Sequence, residues 1–242
     1  MVHGQPDYGA TAATSKIASS SDMAELAVRL GSIVDYDRRG HVLRVDDFES
    51  AIKKFAEATI GAASLITLNH ETAKSGSQCV KLTTGAVIAN AAEMTLYTLA
   101  YPTGKWGIKM SGMFGCANSY NTIFSTSYDG TQVKQGGIRI DAVDKTMHYL
   151  DSDGNWQPFY TDFKLQYQSH CFHNAKLVID FENNKYVRFM FNELEWDFST
   201  HDIQVGASAT LPHHRARYLV SAKLAAICSL YLDDFVFTIN EP

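Results

Sequence analysis

The chain has 242 residues, of which 45% are hydrophobic and 12% aromatic, enough to bury one large core in a single domain. Charged residues make up only 19% and the formal net charge is −5, which argues against the clustered basic surface that a nucleic-acid backbone needs. No run of about 18 apolar residues exists, and the opening Met1-Val2-His3-Gly4-Gln5-Pro6 lacks the basic and apolar regions of a secretory signal, so the expectation is a protein made in the cytoplasm with no membrane span.

Residues 1–20 are rich in Gly, Ala, Ser and Thr and read as an arm that cannot fold alone. A short helix follows. Asp22 (or Ser21) is a plausible N-cap with Glu25 three residues on, and Met23, Leu26, Ala27 and Leu30 share one face up to the stop at Gly31. Two turns with an apolar stripe must dock on something, which makes Met23, Leu26 and Leu30 candidate partner contacts. After Gly31 the period changes to two, and Ser32–Tyr36 with His41–Val45 reads as a hairpin around Asp37-Arg38-Arg39-Gly40. The arm, helix and lead-in hairpin occupy 1–40, and 41–242 forms the body.

From there nearly every segment reads as strand and turn: Lys54–Ala58, Ser64–Leu68, Cys79–Thr83, Ala92–Leu99, Trp106–Phe114, Asn121–Tyr128, Gly137–Ala142 and Thr146–Leu150. Lys176–Phe181, Tyr186–Phe191, Leu194–Phe198, Arg217–Leu224 and a closing strand at Leu230–Thr238 continue the series. Many short strands with regular turns, such as Asp129-Gly130 and Asp153-Gly154, predict an all-β fold of two packed antiparallel sheets. The first and last strands carry the same phrase, Asp46-Asp47-Phe48 and Asp233-Asp234-Phe235, and pairing the chain ends would bring those carboxylates together. Four cysteines (Cys79, Cys116, Cys171, Cys228) are scattered without metal-binding spacing; buried thiols are the simplest expectation, with two disulfides as the alternative.

Asp46-Asp47-Phe48-Glu49, the stretch Ala73 to Leu82 with its Lys74-Ser75-Gly76-Ser77 turn, the run Phe172–Asp180 with Tyr186–Asn192, and the ending Tyr231–Phe237 together resemble jelly-roll, concanavalin-like sandwiches, including carbohydrate-binding modules. The resemblance covers roughly residues 42–238 and implies a jelly roll. It also implies a structural calcium at this edge, for which Asp46, Asp47, Glu49, Asp233 and Asp234 are the candidate oxygen donors. The whole chain, with its Gly4-Gln5-Pro6-Asp7-Tyr8 opening and short helix, is also similar to phage-derived structural proteins.

Stacking of sugar rings needs exposed aromatic faces. Trp156, beside the Asp153-Gly154 turn, is the best placed, with Tyr128 and Tyr160 as further candidates; Trp106 and Trp196 lie in alternating strands and read as core. His170, Cys171 and His173 do not converge for zinc if extended, since neighbours on a strand point apart. Pro212-His213-His214-Arg215 reads as a solvated loop or subunit contact. No nucleophile elbow, zinc helix or phosphate loop is present; Glu193 and Glu195 share a strand face in the manner of sandwich glycosidases but border a turn. The expected function is therefore non-enzymatic: a virion component, either a capsid decoration or a tail protein, that forms homo-oligomers and contacts other subunits and glycans. A carbohydrate-binding module is the alternative and a glycan-cleaving enzyme the third reading.

Overall fold

Alternating polar and apolar residues dominate the body, and a computed structural model describing residues 39–50, 53–99, 104–165, 167 and 171–242 resolves that pattern into sixteen strands with no helix among the described residues. The first eight are β1 (His41–Asp46), β2 (Ala56–Ile60), β3 (Leu65–Asn69), β4 (Cys79–Thr83), β5 (Ala91–Leu99), β6 (Lys105–Phe114), β7 (Ser119–Tyr128) and β8 (Gln132–Asp141). The rest are β9 (Thr146–Leu150), β10 (Trp156–Thr161), β11 (His173–Asp180), β12 (Lys185–Phe191), β13 (Leu194–Asp197), β14 (Gln204–Ala207), β15 (His213–Ala222) and β16 (Ser229–Ile239). These residues belong to one compact unit, Arg39–Pro242. The arm, the helix with Met23, Leu26 and Leu30, and the Ser32–Tyr36 half of the expected hairpin lie outside the described residues.

Two antiparallel sheets result. The first runs β13-β12-β11-β6-β16-β4-β3 with β1 added on β16, and the second runs β10-β9-β8-β7-β15-β5-β2 with β14 added on β8. Their inner faces enclose one apolar core in which Ile108, Leu177, Phe189, Phe235 and Phe237 of the first sheet meet Met94, Leu96, Ile138, Met147 and Tyr218 of the second. Each such side chain removed from water contributes about 1.5–3 kcal/mol before conformational entropy is subtracted. Trp106 sits in this core and stacks on His214 with ring centroids 4.4 Å apart.

Among the described residues, the first and last strands do lie side by side. Strand β16 borders β6 along one edge; on its other edge Ser229–Leu232 pair with β4 and Phe235–Ile239 pair with β1. Asp46 is opposite Phe235, so the two Asp-Asp-Phe phrases meet. Locally they differ: the early one ends a strand with Phe48 at φ 57°, whereas the late one is a mid-strand bulge with Asp234 at φ 53°.

Four segments depart from expectation. Strands β10 and β14 join the second sheet unforeseen, β8 starts at Gln132 instead of Gly137, and β15 starts at His213, inside the expected loop. His214 is therefore core, 1% exposed, with Ser125 Oγ 3.0 Å from its Nε2. The cysteines also divide: Cys116 and Cys228 form a disulfide, while Cys79 is a buried thiol that burial pushes up to about 12.

Candidate functional site

Strand β15 alternates strictly, half-buried at odd positions and buried at even ones. Successive side chains on a strand point to opposite faces. His214, Ala216, Tyr218 and Val220 therefore enter the core, and Arg215 and Arg217 stand on the outer face of the second sheet. The antiparallel register carries this parity across the sheet. Arg215 lies opposite Tyr97 and Thr126, Arg217 opposite Thr95 and Phe124, and Leu219 opposite Glu93 and Thr122. One strand on, Gln135, Gly137 and Arg139 face Thr126, Phe124 and Thr122, and His148 faces Arg139. Trp156 reaches the same face from β10, its ring 5.7 Å from that of Phe124. Gly137 is required here, because an added Cβ would fall 2.7 Å from the Phe124 ring.

Although they lie on an outer face, Thr95, Thr122, Phe124 and Thr126 are at most 7% exposed. Longer side chains stand around and over them. The Arg217 guanidinium lies 4.4 Å from the Phe124 ring centre, Arg139 lies 4.0 Å from Trp156 and 4.9 Å from Tyr120, and Arg215 lies 5.0 Å from Tyr128. Stacking on these rings orients the planar guanidinium groups. Yet the buried Nε atoms of Arg139, Arg215 and Arg217, Nδ1 of His148 and Oγ1 of Thr122 have no hydrogen-bond partner. With Nε2 of His213, six such atoms lie on this face, so it keeps polar capacity that the protein itself does not use. Desolvation also pulls Arg139 and Arg217 below the usual guanidinium range and His148 below the usual imidazole value.

The acidic groups of this face are dispersed. Glu93 is 3.8 Å from Arg217 Nε, and Asp141 binds Lys223 Nζ at 2.5 Å. Glu93 and Asp141 sit on β5 and β8, three strand spacings apart through β15 and β7, or about 14 Å at the usual spacing. That is wider than the ~5–9.5 Å between the two carboxylates of a glycoside hydrolase.

The acidic junction at β1 and β16 is arranged differently. Asp233 accepts hydrogen bonds from the backbone N–H of Lys74 (2.7 Å), Ser75 (3.1 Å) and Asp234 (2.8 Å). Burial and the adjacent Asp234 nevertheless push it up to about 7. Asp234 accepts from Ser75 Oγ at 2.6 Å and pairs with Lys74 Nζ at 3.0 Å; the same ammonium reaches Ser111 Oγ and Asn174 Oδ1, each at 3.1 Å. Glu49 is taken by Ser77 and Gln78, Asp46 by Phe48 N and Arg44, and the exposed Asp47 by Glu49 N. Gly76, at φ 65°, permits the tight turn over Glu49, whose carboxylate an added Cβ would strike at 2.3 Å. The candidate calcium donors thus have protein partners already, and no three His, Cys, Asp or Glu side chains among the described residues converge as an ion site. A lysine ammonium stands among the oxygens instead, so these residues do not fit a calcium ion as arranged.

Of the candidate sugar-stacking residues, Trp156 and Tyr128 lie on the outer face of the second sheet, Tyr128 stacked on His213 at 4.4 Å. Tyr160 does not. It follows a register shift in β10, pairs with core residue Met147 and packs against Trp196 at 5.1 Å. Glu193 and Glu195 are also elsewhere, at the edge of the first sheet, with Glu195 bonded to Arg39 at 2.9 Å. Reading residues 212–215 as a loop concealed Arg215. The period-two pattern of small and apolar residues at 216, 218, 220 and 222 was the signal that could have found it.

No protein-family model matches the chain, and no curated protein sequence matches it. Among solved structures it is similar to a protein of unknown function with a galectin-like fold from Bacillus subtilis, at TM-score 0.56 and 9% identity over 83% of this chain and 97% of that one. It is also similar to the cellulose-induced protein Cip1, at TM-score 0.55 and 14% identity over 81% and 96%. A third is the endo-β-1,4-glucuronan lyase of the fungus Trichoderma reesei, at TM-score 0.52 and 9% identity over 84% and 94%. At these identities the likeness establishes the fold alone, an all-β jelly-roll sandwich.

Proposed function

We propose that this chain binds a carbohydrate on the outer face of its second sheet and does not cleave it. The observation that carries this reading is the set of unpartnered polar atoms of Arg139, Arg215, Arg217, His148 and Thr122 beside the rings of Trp156, Phe124, Tyr128 and Tyr97. Sugars offer what such a face lacks: hydroxyl oxygens for buried donors and a flat C–H surface for rings. The galectin-like and glucuronan-acting folds among the similar structures favour this reading over a virion component, whose motivating residues lie at the start of the chain. The wide separation of Glu93 from Asp141 supports binding over hydrolysis. The Cys116–Cys228 disulfide supports a working place outside a reducing cytosol, a virion surface included.

Affinity electrophoresis on a panel of soluble polysaccharides tests the reading. Retardation by at least one polymer is expected, with Trp156→Ala weakening it on the order of 10-fold. Failure of every polymer to retard the protein would overturn it. Release of reducing ends or of unsaturated sugars would overturn the non-enzymatic part.

A further inference from the structure

Resting on that reading, we infer that the saccharide is anionic, carrying uronate carboxylates or sulfate esters, and that Arg215 and Arg217, flanked by Arg139, are the groups that take its charge. The argument is one of local balance. The chain as a whole is acidic, at −5, but the middle of this face presents three guanidinium groups against the single carboxylate of Glu93. Glu93 also accepts from Thr95 at 3.1 Å and only approaches Arg217 Nε, at 3.8 Å. Lys223 binds Asp141 and Asp144 together and neutralises only one of them, and Asp141 acts on Arg139, so four cations face three carboxylates and the excess positive charge lies at Arg215 and Arg217. A neutral sugar would satisfy hydrogen bonds here but would leave desolvated positive charge uncompensated.

Geometry adds to charge. Arg215 and Arg217 alternate on one strand, about 6.8 Å apart along it. Both stack on rings of the adjacent β7 and keep a buried Nε without a partner. Guanidinium groups placed over rings with donors unspent suit a planar carboxylate or a sulfate, which they bind through paired N–H groups. Gln135 lies two strands from Arg215 in the same transverse row and supplies an amide for the neighbouring hydroxyls. Glu93 on one side and the Asp141–Asp144 pair on the other bracket the arginines, which limits the anionic stretch to a few sugars and disfavours a continuous phosphate backbone.

The test is isothermal titration of the intact chain with three groups of oligosaccharides: neutral β-glucan and xylan, uronate-containing polyglucuronate and alginate, and sulfated heparin fragments. Binding of a uronate or sulfated oligosaccharide at least 10-fold tighter than any neutral one is expected, and the winning group identifies the anion. Arg215→Gln should weaken that binding on the order of 10- to 100-fold. Arg215→Lys, which keeps the charge but loses the fork, should recover only part of it. Lys185→Gln, the same charge change at an exposed site on the first sheet, should leave affinity unchanged, and melting curves confirm that each variant is folded. Equal or tighter binding of a neutral sugar would overturn the inference while leaving carbohydrate binding intact. Equal losses in Arg215→Gln and Lys185→Gln would overturn it as non-specific attraction, and no binding by any group would remove the parent reading as well.

Discussion

His214 shows how one buried side chain ties the core to pH. It is stacked between sheets on Trp106, and burial drives it down to about 3 from 6.5. The folded state therefore stays unprotonated where the unfolded chain takes up a proton, so the contribution is present above about pH 6.5 and is lost as pH falls toward 3. Between pH 7 and pH 5 this residue costs about 2 kcal/mol. Asp233, raised to about 7, gains a proton in the folded state and acts with the opposite sign over the same range. Chemical denaturation should therefore show His214→Phe gaining about 2 kcal/mol relative to the wild type on going from pH 7 to pH 5. An unchanged slope in the variant would mean that other groups set it. Tyr186 is the second such residue. Its hydroxyl crosses from the first sheet, donates to Leu150 O at 2.7 Å and accepts from Gly137 N at 2.8 Å. Tyr186→Phe should cost about 1–3 kcal/mol, measured by urea denaturation, because two buried backbone groups lose their partner.

At the scale of elements, strand β16 holds the first sheet together by pairing with β6, β4 and β1. The bulge at Asp233–Asp234 lies where β16 changes partner from β4 to β1, while β6 stays along its other edge. Both carboxylates are buried beneath the turn at Lys74 and Ser75, and Lys74 neutralises Asp234. Lys74→Met should cost about 2–3 kcal/mol by leaving a buried carboxylate without its cation. Chelator or added calcium should leave the melting temperature of the wild type unchanged. A calcium-dependent rise would show that an ion displaces the ammonium and that the expectation of a structural calcium was right. Strand β15 teaches a different lesson. Its apolar half was legible from alternation, but Pro212 and two histidines concealed its start, because a polar His214 at a core position breaks the apolar pattern until its neighbours are known.

For the whole molecule, the Cys116–Cys228 disulfide closes a span of 112 residues between the end of β6 and the start of β16. Bridging so long a loop stabilises by up to about 4–5 kcal/mol in the chain-entropy account. Cys228→Ser should lower the midpoint of denaturation accordingly, and reductant should lower the wild type to the same level but leave the variant unmoved. Although Trp196 is only partly buried on the edge strand β13, the sequence by itself determined the class of fold, the pairing of the first described strand with the last and the core role of Trp106. These follow from period-two hydrophobicity, turn residues and a repeated phrase, all of which act over a few residues. Only the tertiary structure decided which cysteines pair, that Lys74 stands among the acidic groups, and that Arg139, Arg215 and Arg217 share a face with Trp156. Those relations join residues far apart in the chain through strand order and register, and long-range pairing leaves no local mark in the residues it brings together.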